Sequence, residues 1–178
     1  MAGFIPEITT RVTVDIDVSA FDDAIDLIDS DEILSEIPSL KEELEDKKTI
    51  IQNFKTPLGL AVSQNLQSNQ EMIISSKHYI TGLMAGSVDI MGDGDDYLVG
   101  NTAMSVDGFP YPLAIETGRR EIYPISAKVL RWFEGGDFNR PVFARYASSV
   151  EADPFVEPSI DDTMWDIDFI IDDFLEEL

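Results

Sequence analysis

The sequence predicts an α+β fold, in which an antiparallel β-sheet packs against a long helix and a C-terminal helix, with an N-terminal strand and acidic helices added. Three observations predict it. Apolar residues alternate with polar ones over residues 8–18. They recur at helical spacing over residues 19–78 and again after Pro158. Between these stretches lie short apolar runs split by glycine and proline.

In chain order, Ile8, Val12, Val14, Ile16 and Val18 fall on one side of a strand, and Thr9, Arg11, Thr13, Asp15 and Asp17 on the other. Ser19 is expected to cap the first helix, with Asp22 completing an approximate capping box. Phe21, Ala24, Ile25, Leu27 and Ile28 form its stripe, which stops near residues 29–31. A further helical stretch runs through Leu34, Ile37, Leu40, Leu44, Ile50, Ile51 and Phe54, starting afresh at Pro38 and Ser39 and ending before Pro57. Thr56 as cap and Pro57 in the first turn open a third helix. Its buried side is expected to hold Leu58, Ala61, Val62, Asn65, Leu66, Asn69, Met72 and Ile73.

From residue 81 the pattern becomes strand-like. Segments 86–91 and 97–104 flank the acidic tip Gly92-Asp93-Gly94-Asp95-Asp96, which reads as a hairpin. Further strands are expected at 111–115, 128–133 and 141–146, with helices packed on one sheet. The final helix carries Ile160, Met164, Ile167, Phe169, Ile170, Phe174 and Leu175 as a broad apolar stripe. With no internal repeat and no linker, residues 1–178 read as a single domain, and 158–178 as its acidic C-terminal helix.

The charge excludes several classes of function. Thirty-five Asp and Glu against 12 Lys and Arg leave −23 on 178 residues. Binding a nucleic-acid backbone or an anionic membrane through the overall field requires cations, so neither fits. Aspartate supplies 21 of the acids and lysine only six of the bases. Such a surface suits a halophile, because at about 1 M salt the screening length falls to roughly 3 Å and self-repulsion fades. The competing reading is an acidic interaction protein that docks on a basic partner. The N-terminus has no basic region followed by an apolar one, and no stretch reaches 18 uncharged apolar residues, so the chain is expected to be soluble and not sent through a membrane.

Catalytic constellations are missing. There is no cysteine and one histidine, His78, which excludes thiolate and multi-histidine metal sites and a cysteine nucleophile. The 92–96 tip lacks calcium-loop spacing, since an EF-hand starting at Asp93 would need an acid where Met104 stands. His78 reads as an ordinary helix-end histidine. Asp161, Asp162, Asp166, Asp168, Asp172 and Asp173 are formally able to serve acid–base or magnesium chemistry. Their recurrence along one amphipathic helix is better explained as a solvated face. No nucleophile elbow, phosphate loop or dinucleotide glycine run occurs. No catalytic residue, cofactor or metal is therefore expected.

The charge is polarised instead. Residues 151–178 carry 11 acids and no base, and residues 15–46 carry 13 acids against Lys41. Residues 119–145 hold half of all the bases, with Trp132, Phe133, Phe138 and Phe143 interleaved. Unlike poles suit head-to-tail contact between copies, and arginine with aromatic residues is what interface centres favour. Arg119, Arg120, Arg131, Trp132, Phe133, Arg140, Phe143 and Arg145 are therefore the expected interface residues, with Arg131 or Arg140 reaching acids of a neighbouring copy. Internal pairing of these arginines with the terminal helix is the alternative.

Four signatures occur in order: Thr81-Gly82-Leu83 with Ser87-Val88 after the long helix; Tyr111-Pro112-Leu113-Ala114-Ile115-Glu116-Thr117-Gly118; Val129-Leu130-Arg131-Trp132-Phe133; and Ala152-Asp153-Pro154-Phe155-Val156-Glu157-Pro158-Ser159-Ile160. Over about residues 57–165 this set resembles the tail-completion or head–tail joining family of long-tailed phages and related archaeal viruses, the group of gpZ-like minor tail components. Departures are Ala85-Gly86 where a basic pair is common, and Ala147-Ser148-Ser149-Val150 in place of a His-Pro-Gly. Residues 1–55 look like an N-terminal addition to that core. Gly82 and Gly118 suit tight turns, and Pro154 and Pro158 bracket Phe155 so that it is held for packing on the sheet. Glu116 reads as a half-buried acid beside bases, in an internal ion pair or an inter-subunit contact.

The resemblance implies a non-enzymatic structural protein of the virion neck, made in the host cytoplasm. Copies form a ring, a hexamer by the family's pattern, between a head connector or stopper protein and the tail tube protein. Viral DNA passes through its lumen without sequence-specific binding, and no membrane is involved. The alternatives are an acidic mimic of nucleic acid that inhibits a DNA-binding partner, and an enzyme with a carboxylate-held metal.

Overall fold

The computed structural model describes residues 8–31, 34, 37–78, 82–94, 96–104, 109–125, 127–133 and 141–176. It shows an α+β fold. The elements are β1 (Thr9–Thr13), α1 (Ser19–Ser30), α2 (Pro38–Asn53), α3 (Lys55–His78), β2 (Val88–Asp93), β3 (Asp96–Asn101), α4 (Tyr111–Thr117), β4 (Leu130–Phe133), β5 (Pro141–Ala144) and α5 (Val156–Glu176), with a short 3₁₀ turn at Ala85–Ser87.

The main sheet is antiparallel in the order β1-β3-β2. The hairpin β2–β3 turns at the acidic tip, where Gly92 has φ +127° and a Cβ would lie 2.2 Å from the Asp96 carbonyl oxygen. Thr10 and Ile90 both face Val99 of β3, so each outer strand is in register with the centre. The expected strand over residues 8–18 stops at Thr13 for a physical reason. Thr13 pairs with Asp96, the first residue of β3, so Val14, Ile16 and Val18 have no ladder to join. Strand β1 is nevertheless integral to the fold, since it forms the sheet edge and is preceded by the fully buried Ile8.

Helix α3 lies across this sheet. Leu66 and Ile74 join Ile8, Met84, Val88, Val99 and Phe155 in one buried cluster. Steps of four from Leu66 reach Gln70 and Ile74, so Gln70 is fully buried. Met72, expected inside, lies off that line and is 63% exposed. Helix α5 packs antiparallel on α3: Phe54 meets Phe174 edge to face at 5.9 Å, Asn69 Nδ2 donates to Thr163 Oγ1 (3.1 Å), and Lys77 pairs with Asp153 (2.8 Å). Helices α1 and α2 form an outlying acidic pair held by Lys41–Asp29 and Lys48–Asp22.

Several expectations need correction. Ser19 is the first residue of α1 and not its cap; the preceding Asp17 carboxylate accepts the Ser19 N–H (2.9 Å), which holds its pKa below the usual value. Thr56 lies inside the first turn of α3 and is not its cap, while Pro57 sits in that turn as expected, where a missing N–H leaves no gap. The segment 111–115 is a helix, because Pro112 sits in its first turn with φ already suited to α geometry. Alternation over five residues cannot separate the two periods. The strands do not form one sheet either. Strands β4 and β5 pair only with each other in a second sheet, tied to the rest through the bridges Arg119–Val150 and Ile122–Ala147. No described helix is long and apolar enough to cross a membrane.

Candidate assembly surface

Two of the four signatures meet in space. Helix α4 ends at Gly118, whose φ of +71° favours glycine, and a Cβ there would lie 2.9 Å from both the Ala152 nitrogen and the Val150 oxygen. This close approach lets Arg119 exchange both backbone hydrogen bonds with Val150 (2.9 Å each) and Asp153 donate its N–H to the Ile115 carbonyl (2.9 Å). Glu116 then faces the start of α5. Its Oε2 accepts the N–H of Phe155 (2.8 Å) and of Val156 (3.2 Å). The carboxylate thus caps the positive end of a helix. Among the described residues it forms no ion pair with neighbouring bases, the internal reading the sequence offers. Pro154 is exposed, Pro158 half-buried, and Phe155 0% exposed as a member of the core cluster. Tyr111 also packs on that cluster, and burial pushes its hydroxyl pKa up.

The first signature folds on itself beside this junction. Gly82 has φ +71° and its carbonyl accepts the Gly86 N–H (2.9 Å), while Leu83 is exposed. Asn101, fully buried, donates to the Met84 carbonyl (2.7 Å) and accepts the Ala103 N–H (2.9 Å), fastening the turn to β3. Thr81 lies outside the described residues.

The basic region is open to solvent where it is described. Arg120 and Arg145 are exposed, Arg119 is half-buried, and Phe143 is 59% exposed. Tyr123 and Tyr146 stack at 5.8 Å, and the Tyr123 hydroxyl donates to Glu121 (2.7 Å), which pushes its pKa up. Among the described residues, Arg119, Arg120 and Arg145 form no ion pair, so their internal pairing with α5 is not seen; the ion pairs present use lysines. Among the described residues, Arg119 Nη1 is buried with no hydrogen-bond partner. The backbone of Arg131, Trp132 and Phe133 forms β4, their side chains lie outside the described ones, and so does Arg140.

The opposite pole is α5. Thr163 and Ser159 face α3, and Asp161, Asp162, Asp166, Asp168, Asp172 and Asp173 are exposed. The expected apolar stripe is only partly covered: Ile160, Ile167, Ile170 and Phe174 are half-buried, while Met164, Leu175 and Phe169 stand out. Trp165, which no sequence pattern singled out, is 85% exposed and Phe169 70%. Among the described residues no group of three or more His, Asp or Glu side chains is placed to hold a metal ion.

No protein-family model matches the chain, and no curated protein or solved structure does.

Proposed function

We propose that this chain is a structural virion protein of the tail-completion or head–tail joining kind. In this reading copies form a ring at the top of the tail, between the head connector and the tail tube, and DNA passes through the lumen. It catalyses no reaction. The observation that carries the proposal is the ordered set of four signatures. Two of them, far apart in sequence, are locked together through Glu116 and Gly118. A closed ring of more than two copies joins unlike patches, and the molecule offers two: exposed arginines with aromatics around residues 119–146, and an acidic, aromatic α5. The −23 charge fits a halophilic host.

Sedimentation velocity in about 2 M KCl, where charge repulsion is screened, tests the reading. A discrete species of more than two copies, six by the family's pattern, is expected. A monomer or dimer at every concentration would sink the proposal and favour the acidic mimic of nucleic acid.

A further inference from the structure

A cleft of about 590 Å³ opens beside the junction, lined by Arg119, Ala144, Tyr146, Ala147 and Ser148. Its volume lies within the roughly 300–1,000 Å³ of binding pockets. Its wall is apolar at Ala144 and Ala147 and aromatic at Tyr146, whose ring is held by the stack on Tyr123. Arg119 brings a guanidinium to this wall, and among the described residues its Nη1 has no hydrogen-bond acceptor. A guanidinium at a cleft wall suits a carboxylate, through a charge-assisted hydrogen bond. The nearby Arg120 and Arg145 are exposed and form no ion pair among the described residues. Cleft and rim therefore ask for a ligand that is aromatic and carboxylate-bearing at once.

The chain carries such a ligand. At about 100° per residue, Asp161, Trp165, Asp168, Phe169 and Asp172 fall within a roughly 100° stripe of α5, and all five are exposed. The stripe is turned away from α3, because Thr163, bonded to Asn69 of α3, and Phe174, packed on Phe54 just before α3, lie on the far side of the helix. Within one copy Glu116 fixes the start of α5 and α3 covers its inner side, and the stripe is left exposed, open to a second copy.

We infer that the Arg119 cleft receives the Trp165/Phe169 stripe of α5 from a second copy of this chain, with an aspartate of that stripe accepting from the Arg119 guanidinium. The inference rests on the ring reading above and names its contact. In concentrated salt exposed charges attract weakly, so the aromatic rings supply the affinity and the arginine sets the register.

The absence of native cysteine makes a clean test possible. Ser148→Cys, at the cleft wall, is coupled to a thiol-reactive benzophenone and mixed with heavy-isotope chain lacking the label, in about 2 M KCl. After irradiation, cross-links from position 148 to residues 156–176 of the heavy chain are expected. Assemblies that cross-link elsewhere, or not between copies, overturn this inference and leave the ring standing. Absence of any assembly in the unmodified chain overturns the ring reading and this contact with it. Arg119→Met provides a second measurement. It should melt close to the parent temperature as a monomer, because Arg119 forms no ion pair among the described residues, yet raise the half-assembly concentration about tenfold or more. Unchanged assembly would refute the role given to Arg119.

Discussion

Replacing Glu116 with alanine removes one oxygen that serves two backbone donors at the start of α5. Phe155, one of the donors, is fully buried, so water reaches its N–H poorly once the carboxylate is gone. Loss of a helix cap costs about 0.5–2 kcal/mol and loss of a favourable charge at a helix N-terminus about 0.3–1 kcal/mol. With the burial of Phe155 favouring the upper half of these ranges, Glu116→Ala should lose about 2–3 kcal/mol. At about 2–4 °C per kcal/mol for a chain of this size, the melting temperature should fall by about 4–12 °C. Glu116→Gln keeps an acceptor and loses only the charge, and should fall by about 2–4 °C for roughly 1 kcal/mol. Far-ultraviolet circular dichroism in about 2 M KCl reads the melting, and hydrogen exchange at the Phe155 and Val156 amides reads the site. If the alanine variant melts with the parent and those amides keep their protection, Glu116 does not cap α5 and the lock between the two signatures is wrong.

Other consequences follow from the same geometry. Phe155→Ala empties the centre of the core cluster and should cost about 3–5 kcal/mol, giving insoluble protein or a large drop in melting temperature; a fully stable variant would show that Phe155 does not anchor α5. Gly118→Ala forces a φ of +71° on alanine and sets its Cβ 2.9 Å from two backbone atoms, so it should destabilise more than a Gly→Ala change at Gly86, where nothing lies within 4 Å; equal melting of the two variants would contradict the close approach. Because 23 uncompensated negative charges repel at low ionic strength, the melting temperature should climb steadily from low salt to about 2 M KCl, and a flat response would remove the halophile argument.

Much of the architecture was legible because local chemistry marks it. Pro38 opens α2, Pro57 sits in the first turn of α3, and the 92–96 glycines turn the hairpin where expected. What failed depended on partners far along the chain. The end of β1 is set by where β3 begins, 83 residues away at the Thr13–Asp96 contact. The Glu116 cap spans 39 residues to Phe155, so a carboxylate followed by Arg119 and Arg120 looked like half of an ion pair. Gln70 sits in the core with neither side-chain polar atom hydrogen-bonded among the described residues, which no pattern rule anticipates. The charge poles of the candidate surface were readable, since charge needs only counting. The exposure of Trp165 was not, because α5 has apolar residues around much of its circumference and only the contact with α3 decides which are covered.

In the proposed function, copies assemble into a ring that passes DNA. Electron microscopy of the purified chain in about 2 M KCl tests it most directly. Closed rings of more than two copies are expected, six by the family's pattern, with a lumen wide enough for a DNA duplex. Isolated monomers, or compact oligomers with no lumen, would contradict it.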